Sequence, residues 1–205
     1  HEIGMKKAEE LLGWANEIGI RIVTIYAFST ENFDRDSKEV SYIMDMFEKK
    51  FREIKDSAII KKNRVRVKAI GNISMLPEKV RHAIEEGESV TKDYDNMTLN
   101  ICVAYGGRME IVEAIKKILE SIKEGDFSSE DIDVKLLKEN LFTNGIPDPE
   151  IIIRTGGEKR LSNFLLFQSA YSELFFLNVY FPLIRKIDFL RVIRDFQRRN
   201  RRFGK

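Results

Sequence analysis

IRIVTIYAFSTENFDR (20–35) is the stretch on which the fold turns. Its first nine residues, IRIVTIYAF, are mostly apolar and rich in β-branched side chains, which suit a pleated surface. They follow a helical stretch and lead into a polar turn, so they are expected to form a strand buried on both faces of a parallel sheet. On the upstream side, residues 4 to 18 set Ala8, Leu11, Leu12, Ala15 and Ile18 on one helical face, and Gly19 stops the helix. On the downstream side, Ser37 is expected to cap a long helix whose stripe is Val40, Ile43, Met44, Phe47, Phe51 and Ile54.

The same alternation continues outward. NRVRVKAIG (63–71) sets Val65, Val67 and Ala69 against Arg64, Arg66 and Lys68, the pattern of a strand with one wet face, near an edge. Pro77 opens a helix to about Tyr94. MTLNICVAYGG (97–107) reads as strand into glycine turn, and RMEIVEAIKKILESI (108–122) as helix. A short helix over 134–141 precedes EIIIRTGG (150–157), again strand into glycine turn. ELFFLNVYF (173–181) is a further strand, and a helix from Ile187 to Phe203 carries six arginines. Strand, turn and helix recurring in this order predict a single α/β domain, a mostly parallel central sheet flanked by helices.

Composition narrows the function. Of 205 residues 43% are apolar and 33% charged, which excludes a disordered or fibrous chain. Thirty-five Lys and Arg against 33 Asp and Glu leave a net charge of +2, too little for a general nucleic-acid binder. No nucleic-acid partner is expected, and the arginines of 191–202 read as a solvated face, an anionic-lipid contact or a dimer edge. A single cysteine, Cys102, rules out an internal disulfide and suits a reducing cytoplasm. It is expected to be an inert buried thiol, Trp14 a packing residue and His82 a solvated one. No apolar run reaches the roughly 18 residues of a membrane span. The chain opens HEIGMKKAEE, without an initiator Met or a leading strand, and the expectation is that an upstream segment has been lost.

Three strands end in polar or glycine turns: FSTENFDR (28–35), AYGGR (104–108) and RTGGEKRLSNF (154–164). Each alone could be ordinary turn chemistry. At the same end of one sheet, where α/β folds bind ligands, they point to a site. In the third, Arg154 and Arg160 bracket Gly156 and Gly157, while Ser162 and Asn163 are expected to open a helix. Guanidinium forks, free backbone N–H groups and a hydroxyl at a helix start suit a diphosphate. Glu158 and Glu173 could hold Mg²⁺, a hard cation often bridged to phosphates. No GxxxxGK[ST] loop is present.

In order and spacing, FSTENFDR, AYGGR, RTGGEKRLSNFLLFQSAYSELFF and the terminal RRFG resemble the cis-prenyltransferases, and most of all the bacterial and archaeal undecaprenyl (polyprenyl) diphosphate synthases. The resemblance spans nearly the whole chain. It implies a single-domain α/β enzyme, dimeric and Mg²⁺-dependent. Such an enzyme adds isopentenyl diphosphate to an allylic prenyl diphosphate with cis double bonds, giving a carrier-lipid precursor. It further implies that Arg154, Arg160 and Ser162 grip isopentenyl diphosphate, joined across a homodimer by Arg202 and Gly204. Glu173 is then the metal carboxylate. Asn32, Ser29 and Arg35 lie at the reacting centre, Arg35 also binding substrate with Phe33 and His1; His1 and Gly4 match the HxxG opening the first helix. Glu31 organises the loop.

The family's glycine-rich loop with its Asp is expected upstream of His1, the usual Asn before YGGR is Ala104, and a common His after RTGGE is Lys159. No His, Asp or Glu in the turns reads as a general base, which leaves the diphosphate oxygens, aided by Asn32 or Ser29. An apolar tunnel is expected, with Ala27 near its reacting end and Met97 at its far end, and peripheral membrane contact could serve product release. The alternatives are a non-catalytic partner subunit or another Mg²⁺-dependent phosphate-binding α/β enzyme.

Overall fold

Gly19 ends the first helix, α1 (Glu2–Glu17), in the left-handed region at φ +78°, and Ile20 N–H returns to the Ala15 carbonyl at 3.0 Å. This is the glycine-capped stop expected from the sequence. The structure, a computed structural model, describes residues 2–199. Within them the chain forms two units, residues 15–146 and residues 2–14 with 147–199.

The larger unit is built on β1 (Ile22–Tyr26), β2 (Val65–Ile70) and β3 (Met97–Cys102), parallel and ordered β1-β3-β2. Its helices are α2 (Ser37–Glu53), the short α3 (Ala58–Lys62), α4 (Glu78–Thr91), α5 (Gly107–Glu124) and α6 (Val134–Asn140). Asp36, not Ser37, caps α2, its carboxylate accepting Lys38 N–H at 2.9 Å. Pairing of Val23 with Leu99 and Val67, and of Ile25 with Ile101 and Ala69, puts these side chains on one face, which is wholly apolar. The opposite face carries Thr24, Asn100 and Lys68. Ile43, Met44, Phe47 and Phe51 of α2 and Val80, Ala83 and Ile84 of α4 are buried, and the two helices pack together.

β2 is an end strand with Arg66 exposed between buried Val65 and Val67, as its alternation predicts. Its outward donors are taken by side chains of α4. Val67 N–H donates to Thr91 Oγ1 at 3.1 Å, and Ala69 N–H to Glu88 Oε1 at 2.7 Å. β1, expected to be buried on both faces, is only half-buried, because it pairs with β3 alone in the three-stranded sheet. Cys102 is fully buried, and burial, with Glu110 nearby, pushes its thiol pKa up.

The smaller unit holds the parallel pair β4 (Ile151–Arg154) and β5 (Glu173–Phe176), and helix α7 (Lys186–Arg198). β5 stops five residues short of the expected strand. Trp14 packs on Phe189 with ring centroids 6.3 Å apart, and His82, on α4, is largely exposed. The strand–turn–helix order and the parallel pairing agree with the α/β expectation, with the strands distributed over two parallel sheets.

Gly71, which follows β2, sits at φ +143° against the exit of β3. A Cβ there would lie 2.0 Å from the Val103 carbonyl oxygen, backbone that cannot swing aside. Gly71→Ala is therefore expected to cost roughly 3 kcal/mol, read as a shift of the urea midpoint. A loss under about 1 kcal/mol would mean that the loop relaxes freely.

Candidate active site

In the larger unit the exits of all three strands are stitched together by backbone. Ser29 and Tyr105 form a parallel bridge, with Tyr105 N–H on the Phe28 carbonyl at 3.2 Å and Thr30 N–H on the Tyr105 carbonyl at 3.0 Å. From the other side, Asn72 N–H reaches the Ala104 carbonyl at 3.1 Å. Ala104 is buried in the left-handed region at φ +47°, a conformation that Asn tolerates better than Ala. That supplies a backbone reason for the Asn expected at this position.

After Ser29 the chain makes one 3₁₀ turn, Thr30–Asp34. Asn32 Oδ1 accepts the Ser29 backbone N–H at 3.0 Å, which fixes the carboxamide with its oxygen inward and its NH₂ outward. Phe33 packs edge-on against buried Phe28, centroids 5.0 Å apart. Arg35 is exposed and pairs with Glu39 at 2.8 Å, and Glu31 accepts the Thr30 hydroxyl at 3.2 Å. Beneath the turn, the Tyr26 hydroxyl donates to the Tyr105 carbonyl at 3.1 Å. Burial, followed by the charge of Glu31, pushes the Tyr26 pKa far up, so the phenol keeps its proton. The Tyr105 hydroxyl donates to buried Glu110 at 2.5 Å. Sequence reading passed over Tyr26. The available signal was a hydroxyl at the last strand position, three residues before Ser29.

In the smaller unit one guanidinium nitrogen organises the third turn. Arg154 Nη1 donates to the Arg160 carbonyl at 2.7 Å and to Ser162 Oγ at 2.8 Å. Arg154, Arg160 and Ser162 are thus brought together as predicted. Two expectations are corrected. Ser162 and Asn163 do not open a helix; Ser162, Asn163 and Leu165 stand at φ +49°, +64° and +44°, and 162–171 is a run of turns. The backbone N–H groups of Gly156 and Gly157 are not free for an anion either, since they donate to Val179 and Leu177 carbonyls at 2.8 and 3.0 Å.

Each carboxylate has its own arginine. Glu158 pairs with Arg160 at 2.8 Å, and Glu173 with Arg199, whose guanidinium lies 4.4 Å from the Phe175 ring centroid. Among the described residues no three His, Cys, Asp or Glu side chains gather as a metal site, so Glu173 offers one hard oxygen ligand by itself. Lys159 is exposed. His1, Arg202 and Gly204 lie outside the described residues. Among those described, no helix is long and apolar enough to cross a membrane.

Known proteins match this arrangement along the whole chain. The Prenyltransf family model, undecaprenyl diphosphate synthase, covers residues 1–204. A tritrans,polycis-undecaprenyl-diphosphate synthase (geranylgeranyl-diphosphate specific) from Pyrococcus abyssi is 56% identical over 205 residues, spanning 100% of this chain and 78% of its own. One of the same name from Methanocaldococcus jannaschii is 52% identical over 207 residues, spanning 100% and 74%. The crystal structure of lavandulyl diphosphate synthase from Lavandula x intermedia, in complex with dimethylallyl diphosphate, superposes with a TM-score of 0.94 at 33% identity, covering 100% of this chain and 88% of the other. With such matches to its sequence, its turns and its fold, this chain belongs to the undecaprenyl diphosphate synthase family and is a prenyl-transferring enzyme.

Proposed function

We propose that this chain extends geranylgeranyl diphosphate with isopentenyl diphosphate units, making each new double bond cis, to a long polyprenyl diphosphate. The observation that carries this is the 56% identity, over the entire chain, to a relative named for that product and that primer. In each cycle the allylic C–O bond breaks, the allylic carbon joins the terminal alkene carbon of isopentenyl diphosphate, and one proton is lost. Diphosphate leaves. The protein must hold two polyanions near each other and keep water from a developing cation.

Arg154, Arg160 and Ser162 would take the diphosphate of isopentenyl diphosphate. Support comes from Arg154 Nε, which is buried and, among the described residues, makes no hydrogen bond. Such a donor gains from an incoming anion. Arg160 would exchange Glu158 for phosphate. The outward NH₂ of Asn32 would donate to the allylic diphosphate, with Arg35 swinging from Glu39 to join it and Phe33 and His1 in contact with substrate. Glu173 would hold Mg²⁺, which commonly takes one carboxylate and fills its shell with phosphate oxygens and water. When bound, the ion would neutralise charge on the leaving diphosphate. We further propose a homodimer in which Arg202 and Gly204 serve the partner's substrate, and peripheral membrane contact for release of the apolar product. The apolar sheet face, half-exposed at Ile25, Ala69 and Ile101, would wall the hydrocarbon chain.

Asn32→Asp keeps the oxygen that receives Ser29 N–H but replaces the outward donor with an anion. Allylic KM should rise at least about tenfold with the melting temperature unchanged; an unchanged KM would remove Asn32 from diphosphate binding. Arg154→Ala should weaken isopentenyl diphosphate binding by roughly 1.5–3 kcal/mol, read as KM in steady-state kinetics. Ala27, exposed at the end of β1, and Met97, buried at the start of β3, test the hydrocarbon wall. Ala27→Leu should shorten the dominant product and Met97→Ala lengthen it, by chromatography of the dephosphorylated chains. Identical length distributions from folded variants would place the chain elsewhere.

A further inference from the structure

Helix α7 carries charge out of proportion to its length. Residues 185–199 hold six Lys and Arg against two Asp, more than the net +2 of the whole chain. Phe189 and Val192 of this helix are buried, and the exposed residues turned away from them are Ile187, Arg191, Arg194 and Arg198. Steps of four, three and four residues set these on one stripe along the outer side of the helix. Arg191 and Arg194 lean on Asp188 and Asp195 along one flank, at 3.8 and 2.8 Å, yet both stay more than half exposed.

The stripe starts at an apolar tip, and Ile187 belongs to both. Tyr180, Leu183 and Ile187 are 70%, 64% and 47% exposed, and they follow one another across the 3₁₀ turn Phe181–Leu183 into the first turn of α7. The backbone that presents them is well bonded. Leu183 N–H donates to the Tyr180 carbonyl at 2.8 Å, and Arg185 holds Asp188 with two bonds of 2.9 Å at the helix start. Tyr180 also stands beside the third glycine turn, where a Cβ on Gly156 would lie 3.9 Å from its ring.

We propose that this face docks the protein on an anionic bilayer, with Arg191, Arg194 and Arg198 on lipid phosphates and Tyr180, Leu183 and Ile187 in the headgroup layer. The surface serves the membrane contact proposed above for release of an apolar product, and its assignment rests on that reading. A guanidinium pairs with phosphate through two parallel N–H bonds. Reversible membrane binding needs two signals, and a basic patch beside an apolar anchor supplies them. A nucleic acid would use the arginines alone and leave three apolar side chains in water. With Tyr180 against Gly156, docking would also bring the turn of Arg154 and Arg160 close to the lipid.

The test is sedimentation of the substrate-free protein with vesicles of phosphatidylcholine alone, and of equal parts phosphatidylcholine and phosphatidylglycerol. Binding should require the anionic lipid and fall as salt is raised. Changing Arg191, Arg194 and Arg198 together to Gln should weaken it at least about tenfold, since each basic residue near an anionic surface contributes roughly fivefold. Changing the same three to Lys should retain it. Leu183→Ser with Ile187→Ser should also weaken it about tenfold. Circular dichroism should show every variant folded, and chain elongation in detergent solution should be unchanged. No binding to the anionic vesicles, equal binding to both kinds, or a glutamine variant that binds like its parent would overturn the proposal. So would a glutamine variant that keeps its vesicles but loses a DNA duplex, or one that keeps them and changes oligomeric state in analytical ultracentrifugation. No substrate is present in these measurements, so failure to elongate geranylgeranyl diphosphate would be seen separately and would overturn the proposed function instead.

Discussion

The carbonyl oxygen of Tyr105 accepts two hydrogen bonds, from Thr30 N–H at 3.0 Å and from the Tyr26 hydroxyl at 3.1 Å. The FSTENFD turn depends on this one atom. Tyr105 is placed in turn by the preceding backbone, where Val103 lies against Gly71 so closely that no side chain fits there. The constraint passes from a glycine after β2, through the exit of β3, to the polar side chains after β1. Residues outside the proposed substrate contacts thereby fix the directions of those within them. The atoms at the centre are backbone atoms, so substitution of Tyr105 alone would leave its carbonyl in place.

Much of this was legible in the sequence because its signals are local. Period two in VRVKAI (65–70) gave the wet-faced end strand, and Gly19 announced its own helix stop. Strand followed by glycine turn marked the places where polar side chains gather. What was not legible depended on partners far along the chain. Gly156 and Gly157 look like free donors until Val179 and Leu177 arrive some twenty residues later to accept from them. Ser162 and Asn163 suit a helix cap and the left-handed region equally well, and Arg154, eight and nine residues earlier, lies against that turn. The half-burial of β1 reflects its rank in a sheet, which no window of residues encodes.

The similarity to lavandulyl diphosphate synthase, at a TM-score of 0.94, separates fold from product. That enzyme and the archaeal relatives bear names for different products, while its backbone and that of this chain trace one architecture. What distinguishes them must lie in side chains. In this chain the three-stranded sheet offers a clean division for that purpose, with apolar positions such as Ile25 and Ile101 on one side and Thr24 and Asn100 on the other. If the hydrocarbon chain lies along the first set, as proposed, a change there would alter its room without disturbing the polar set behind it.

The occupied donors of β2 carry a consequence for assembly. An end strand normally offers a row of amides to any passing chain, the opening step of sheet extension and of fibril growth. Here Thr91 Oγ1 and Glu88 Oε1 already sit on the amides of Val67 and Ala69. An incoming strand would have to evict two side chains before gaining its first backbone bonds. Copies of this protein are thereby steered away from joining through that margin, and an isoprenoid-handling protein rich in apolar strand is spared one route to aggregation.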